Sequence, residues 1–372
     1  MLKPAFRILS SLLIPGVLVC PSLNAQQSDA AAASSSKSNG QPVVLPVAVR
    51  DKKGALVTSL QKSDLVLTQD GRSQTIQSLT QDASQPLRVG LLFETGREMS
   101  GAVEAERKAA ESFLDQLLPA NSKNQAFLIH FDSEVELLED FTSSNEKLRQ
   151  ALDDMGSTSS RKGDDRQGPE TTDNPNTSAR RHGGPQLYDA IFLASDELMK
   201  NKDGRKVLIV FSNGGDRGSR ETLNDAVDAA DRANLTVFTI YFKGQPERTY
   251  GSTNFPDSHG GGVGFPGGGG SGYPGGRGGR GQPVPTTSSG VDGRKIMQQI
   301  AERTGGHAYE AKKTGDFDPI YKLMADEMHS QYLLTYTPDK PDTEGGFHKV
   351  VVTTNNKEWS VSAREGYYAP EK

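Results

Sequence analysis

Four apolar runs without a polar face constrain this chain most: LRVGLLF (87–93), AFLIHF (126–131), KVLIVF (206–211) and LTVFTIY (235–241). A strand with one wet face alternates apolar and polar residues. These do not, so they belong to strands buried on both sides. Helical spacing fills the intervals. Val103, Ala110, Phe113, Leu114 and Leu117 share one face, and further helices are expected over 148–155, 187–199, 221–233 and 291–304. A last helix carries Phe317, Ile320, Tyr321, Met324 and Met328 on one stripe. Residues 135–141 alternate like an edge strand, and 307–311 read as a short strand. Strands alternating with helices predict an α/β fold, a mostly parallel sheet flanked by helices on both faces.

The flanks read differently. Leu45, Val47 and Val49 alternate with small residues, followed by a turn at residues 51–54. Residues 65–68 form a second strand, Asp70 and Gly71 a turn, and residues 75–79 the partner of that strand. At the other end, 332–336, 349–353 and 359–363 are strands. Neither flank has enough strands to stand alone, so the two are expected to pack together as a small β domain.

The expected organisation is a signal peptide over 1–25, a flexible Ser/Ala/Gln-rich linker over 26–41, an N-terminal β segment over 42–84, the α/β domain over 85–330 and a C-terminal β segment over 331–372. The leader has Lys3 and Arg7, an apolar stretch through Val19, and small Ala25 before a polar start; that stretch is short for a membrane span. Two polar or Gly-rich insertions, 156–184 and 245–290, interrupt the α/β domain, and the second cannot bury a core. Cys20 is the only cysteine, so a cleaved chain has no thiol chemistry. Losing Lys3 and Arg7 takes the formal charge from −5 to −7, which argues against a nucleic-acid partner despite Arg277 and Arg280 in GGRGGRG.

The loop LLFETGREMSG (91–101) carries the main functional question: a buried strand ends in Glu94, with Glu98 four residues on. Open α/β sheets hold ligands at the carboxyl ends of their strands. Together with VAVRDKKGALVTSLQKSDLVLTQDGRSQ (47–74), GGPQLYDAI (183–191), VLIVFSNGGDRGS (207–219), QYLLTYTP (331–338) and VSAREGYYAP (361–370), in this order, the chain resembles the von Willebrand factor A-related proteins numerous in Acidobacteria. The resemblance implies a von Willebrand A fold with a metal-ion-dependent adhesion site at the carboxyl end of the sheet. There an Asp-x-Ser-x-Ser loop, a Thr and an Asp hold Mg²⁺, and a partner's carboxylate completes the shell.

Carried over residue by residue, that motif falls on Glu94, Gly96, Glu98, Pro185 and Asn213, and all five positions differ. Gly96 and Pro185 offer no side-chain oxygen, Glu94 is one methylene longer than Asp, and Asn213 has lost a charge. Two readings follow. Either the site is degenerate and recognition proceeds without a metal, or Glu94, Glu98, Asn213 and Asp216 rebuild a carboxylate site for Mg²⁺ or Ca²⁺. Asp189, one turn into a helix, either hydrogen-bonds the loop backbone or caps its own helix. Arg97, Arg217 and Arg220 stand ready to neutralise the carboxylates.

The six histidines show no i, i+3 or i+4 pairing for zinc, and no P-loop, Gly-x-Ser-x-Gly or His-Glu-x-x-His motif is present. The expectation is therefore an exported, non-enzymatic interaction, adhesion or scaffold module with a protein partner. A hydrolase without a recognisable motif is the alternative from another class.

Overall fold

A computed structural model describes residues 41–81, 85–156, 184–244, 292–340 and 345–369. The expected signal peptide, nearly all of the linker, the whole 245–290 insertion and residues 157–183 of the other lie outside the described residues.

The central sheet comprises β5 (Leu87–Glu94), β6 (Gln125–Phe131), β7 (Val135–Thr142), β8 (Arg205–Ser212), β9 (Leu235–Phe242) and β10 (Ala308–Ala311), after four strands of the N-terminal flank. Its spatial order is β10-β9-β8-β5-β6-β7. Every pairing is parallel except β6 with β7, the alternating edge strand. The chain winds outward from β5 in one direction, then returns beside it at β8 and winds the other way. The switch point lies between β5 and β8, where their carboxyl ends leave a crevice.

Both faces of the sheet are covered, as strands without a polar face require. On one side Ala110, Phe113 and Leu117 of α1 (Val103–Leu117), Leu148 of α2 (Asn145–Asp154) and Phe317, Tyr321 and Met324 of α6 (Phe317–Ser330) pack on Val89, Leu91 and Ile209. On the other, Leu187 and Ile191 of α3 (Leu187–Leu193), Val227 of α4 (Leu223–Arg232) and Met297 and Ile300 of α5 (Gly293–Arg303) cover Leu92, Leu208 and Val210. The helix expected over 187–199 begins as α3 and continues as a π-helical segment, Ala194–Met199.

The flanks do meet, in two four-stranded sheets. β1 (Val43–Asp51) lies between β11 (Tyr332–Tyr336) and β13 (Trp359–Ala363), with β4 (Ile76–Thr80) beyond β11. β2 (Leu65–Gln69) lies between β3 (Arg72–Gln74) and β12 (Gly346–Thr354), with β14 (Gly366–Ala369) beyond β12. Leu45, Val47, Leu67, Leu334, Tyr336 and Val350 fill the space between these sheets.

One expectation is corrected here. The partner of β2 is Arg72–Gln74, with Gln69 opposite Arg72 across Asp70 and Gly71. Residues 76–80 instead cross to the other sheet and pair with β11, Leu79 opposite Leu334. A two-residue turn fixes its register at once, so the hairpin is complete within three residues. Ile76 and Leu79 then pack into the core between the sheets.

A buried ion pair seams this frame to the α/β unit. The Arg50 guanidinium of β1 bonds Glu327 of α6, and the Tyr309 hydroxyl of β10 donates to the same carboxylate oxygen at 2.9 Å.

Candidate functional site

Glu94 is the last residue of β5 and Ser212 the last of β8, so the sheet itself sets them side by side at the switch point. Glu94 is 2% exposed. Its Oε2 accepts the Ser212 hydroxyl at 2.6 Å and the Asn213 backbone N–H at 2.9 Å, while Oε1 is buried without a hydrogen-bond partner among the described residues. Burial pushes the carboxyl up to about 7 against the pull of those two donors, and the charges of Glu98 and Asp132 add to the rise.

The other positions of the motif lie around this carboxylate. Glu98 accepts the Asn213 side-chain N–H at 2.9 Å, and the Asn213 carbonyl accepts Gly215 N–H at 2.7 Å, turning back on its own loop. Pro185 contributes only its backbone carbonyl, which accepts Arg217 N–H at 3.0 Å. Beside Gly96 there is little room: a Cβ there would lie 2.7 Å from Asp132 Oδ1, so a serine would displace that carboxylate.

Asp216 faces away from this cluster. It accepts Tyr188 N–H at 3.2 Å at the start of α3 and the Ser219 hydroxyl at 2.5 Å. Asp189 accepts Arg220 N–H and Glu221 N–H, both at 2.9 Å, so it holds the loop backbone across the crevice. The two aspartates thus lace the 213–222 loop to α3. Arg217 and Arg220 form no ion pair with Glu94 or Glu98 among the described residues. Arg217 packs its side chain over Gly184 instead.

These residues do not suit Mg²⁺, which demands a near-octahedral shell of oxygens. Two positions have no side-chain oxygen, the Asn213 oxygen is taken by its own loop, and one Glu94 oxygen is saturated by two donors. Among the described residues no three His, Cys, Asp or Glu side chains gather as metal ligands. The structure brings Glu94, Glu98 and Asn213 together and directs Asp216 elsewhere.

Sequence reasoning missed Asp132 and Ser212. Asp132 directly follows the apolar run ending at Phe131, the same signal that singled out Glu94. Ser212 stood beside Asn213 but outside the motif.

The roots of both insertions border the site. Gly156 donates its N–H to His130 Nδ1 at 3.3 Å, and Gly184 lies against Arg217. Gly244, at φ +76°, would set a Cβ 2.5 Å from the Glu98 carbonyl oxygen, and a Cβ on Gly293 would lie 2.1 Å from that of Asn213. Only glycine allows either approach. An open groove of about 510 Å³ runs beside the loops, lined in part by Gln186, Asp189, Phe192, Arg220 and Glu221.

No family model matches the chain, and no curated protein matches it. Similar solved structures include an aerotolerance-related membrane protein from Bacteroides fragilis (12% identity, TM-score 0.40, 65% of this chain and 98% of that one). Another is proximal thread matrix protein 1 from the mussel byssus, with a zinc-occupied metal-ion-dependent adhesion motif (11%, 0.41, 70% and 50%). A third is the SpRpn10 von Willebrand A domain (12%, 0.36, 62% and 93%). At these scores the likenesses add nothing to what the strand order already gives. A doubly wound sheet with one antiparallel edge, its helices on both faces and its motif loops at the carboxyl end identify the central unit: it has the von Willebrand A fold.

Proposed function

We propose that this chain is an exported, non-enzymatic protein-interaction or adhesion module that recognises its partner through the loop face around Glu94, Glu98, Pro185 and Asn213 without a divalent cation. One observation carries the reading. The loops that would otherwise hold an ion are tied to each other: Glu98 to Asn213, Asp189 to residues 220 and 221, and Asp216 to Tyr188 and Ser219. A face whose loops are tied by hydrogen bonds among themselves is preorganised for contact and loses little entropy on binding. Arg220 and Glu221, beside Phe192 in the adjoining groove, supply the charged rim and apolar contact that such faces use. Export rests on the basic, then apolar, then small-residue pattern of residues 1–25; among the described residues no helix is long and apolar enough to cross a membrane.

The test is capture of partners from envelope and culture-supernatant fractions by the purified protein, with and without chelator. Binding should survive the chelator and fall at least tenfold in Glu98→Lys and in Arg220→Glu. Binding that requires added Mg²⁺ or Ca²⁺ would favour the rebuilt carboxylate site. Indifference to both substitutions would remove the loop face from recognition.

A further inference from the structure

A second cleft, of about 560 Å³, shares no lining residue with the groove beside the loops and lies between β10, α5 and β13. Five consecutive residues, 306–310, and four more, 360–363, line it. Side chains of a strand alternate between its faces, so unbroken runs mean that the cleft opens on the strand edges. Both edges end their sheets.

The main-chain parity can be read off. Thr239 N–H donates to the His307 carbonyl at 3.1 Å, so in the parallel ladder Tyr309 and Ala311 also face β9. Ala308 and Glu310 then point their N–H and C=O groups outward. In β1, the Val49 carbonyl accepts Val57 N–H at 2.8 Å and Asp51 N–H donates to Ala55 at 2.9 Å. Ala48 and Arg50 must therefore serve β13 through Ser362 and Ser360, which leaves Val361 facing the cleft. Neither edge has a strand partner among the described residues.

The polar lining adds direction. Arg50, 9% exposed, borders the cleft, and its buried Nε has no partner among the described residues. Its charge is answered by Glu327, and Arg294 is answered by Glu310 at 3.1 Å. Glu302 and Glu365 are left without an ion pair among the described residues. His307, which also lines the cleft, has its pKa lowered by burial and by the neighbouring Arg50, so it adds no cation at neutral pH.

We propose that this cleft binds an extended segment of a partner protein that adds a strand to the β10 edge and offers a Lys or Arg to Glu302 and Glu365. Strand addition draws affinity from main-chain bonds to Ala308 and Glu310 and specificity from alternate side chains.

The test is an array of immobilised octapeptides of random sequence probed with the purified protein, followed by anisotropy titration of the best binders. Selected peptides should carry Lys or Arg, and N-methylation of alternate backbone amides should weaken them at least tenfold while the intervening amides tolerate it. The exposed Glu302→Lys, Glu365→Lys double variant should lose the basic preference, and Glu98→Lys, which weakens partner capture at the loop face, should leave peptide affinity for this cleft as it is in the wild type. An array without enrichment, or binding indifferent to N-methylation or to the double variant, overturns the proposal. So does binding that emerges only when residues 246–290 are deleted, because the chain would then fill the cleft itself.

Discussion

Glu94 and Glu327 are both buried carboxylates at the ends of long-range connections, yet they are answered in opposite ways. Glu327 meets a guanidinium and a phenol at the seam between the β frame and the α/β unit. Among the described residues Glu94 meets only a hydroxyl and a backbone amide, and has two further carboxylates, Glu98 and Asp132, for company. The seam compensates its buried charge with charge, which holds two units in one register. The loop site leaves its charge to neutral donors, and burial raises the pKa instead. In an adhesion site a cation would have filled that role. Here Asn213 donates to Glu98.

Breaking the seam should have the largest effect. Arg50→Ala strands Glu327 uncompensated and should cost about 3–5 kcal/mol in urea denaturation, whereas Arg50→Met with Glu327→Leu should recover most of it. A double variant as unstable as the single would mean that the seam depends on shape, not charge.

Glu94→Gln sharpens the contrast through pH. A carboxyl raised from 4.5 to about 7 contributes stability in full below pH 4.5 and loses it as pH rises through 7. The wild type should therefore weaken between pH 5 and 8, by about 3 kcal/mol from this group. Glu106, buried against Tyr321 and raised to about 8, extends the loss to higher pH. The glutamine variant should be flatter between pH 5 and 7 and retain the portions from Glu106 and from Asp231, whose carboxyl burial also raises to about 7. An unchanged slope would show that Glu94 is ionised in the fold at pH 6.

Ser212→Ala removes the one hydroxyl that favours the charged form of Glu94. It should cost about 2 kcal/mol at pH 8 and less at pH 5, measured by thermal denaturation at both. The smallest effect belongs to Glu98→Ala, which deletes an exposed bond to Asn213 and should change stability by less than about 0.5 kcal/mol. A larger loss would make Glu98 a structural residue and weaken its place on a recognition face.

The sheet was legible because its strands have no polar face, and the helices because Ala110, Phe113, Leu114 and Leu117 recur on one side. Periodicity carries that information locally. Strand partnership is not local. Residues 76–80 look like the second arm of a hairpin, and only the distant β11 draws them away. β14 was missed because four residues with two tyrosines give no alternation to count. The Arg50–Glu327 pair, 277 residues apart, leaves no trace in spacing. At the site, Glu94, Glu98 and Asn213 were found by their motif positions, whereas Asp132 needed the strand-end rule applied to β6 as well as β5.

The central claim is that the loop face works without a divalent ion, and calorimetric titration of the purified, chelator-treated protein with Mg²⁺, Mn²⁺ and Ca²⁺ tests it most directly. We predict no saturable heat with any of the three, and none in Glu94→Ala or Glu98→Ala. Saturable binding in the wild type that either substitution abolishes would contradict the account and return this face to metal-dependent adhesion.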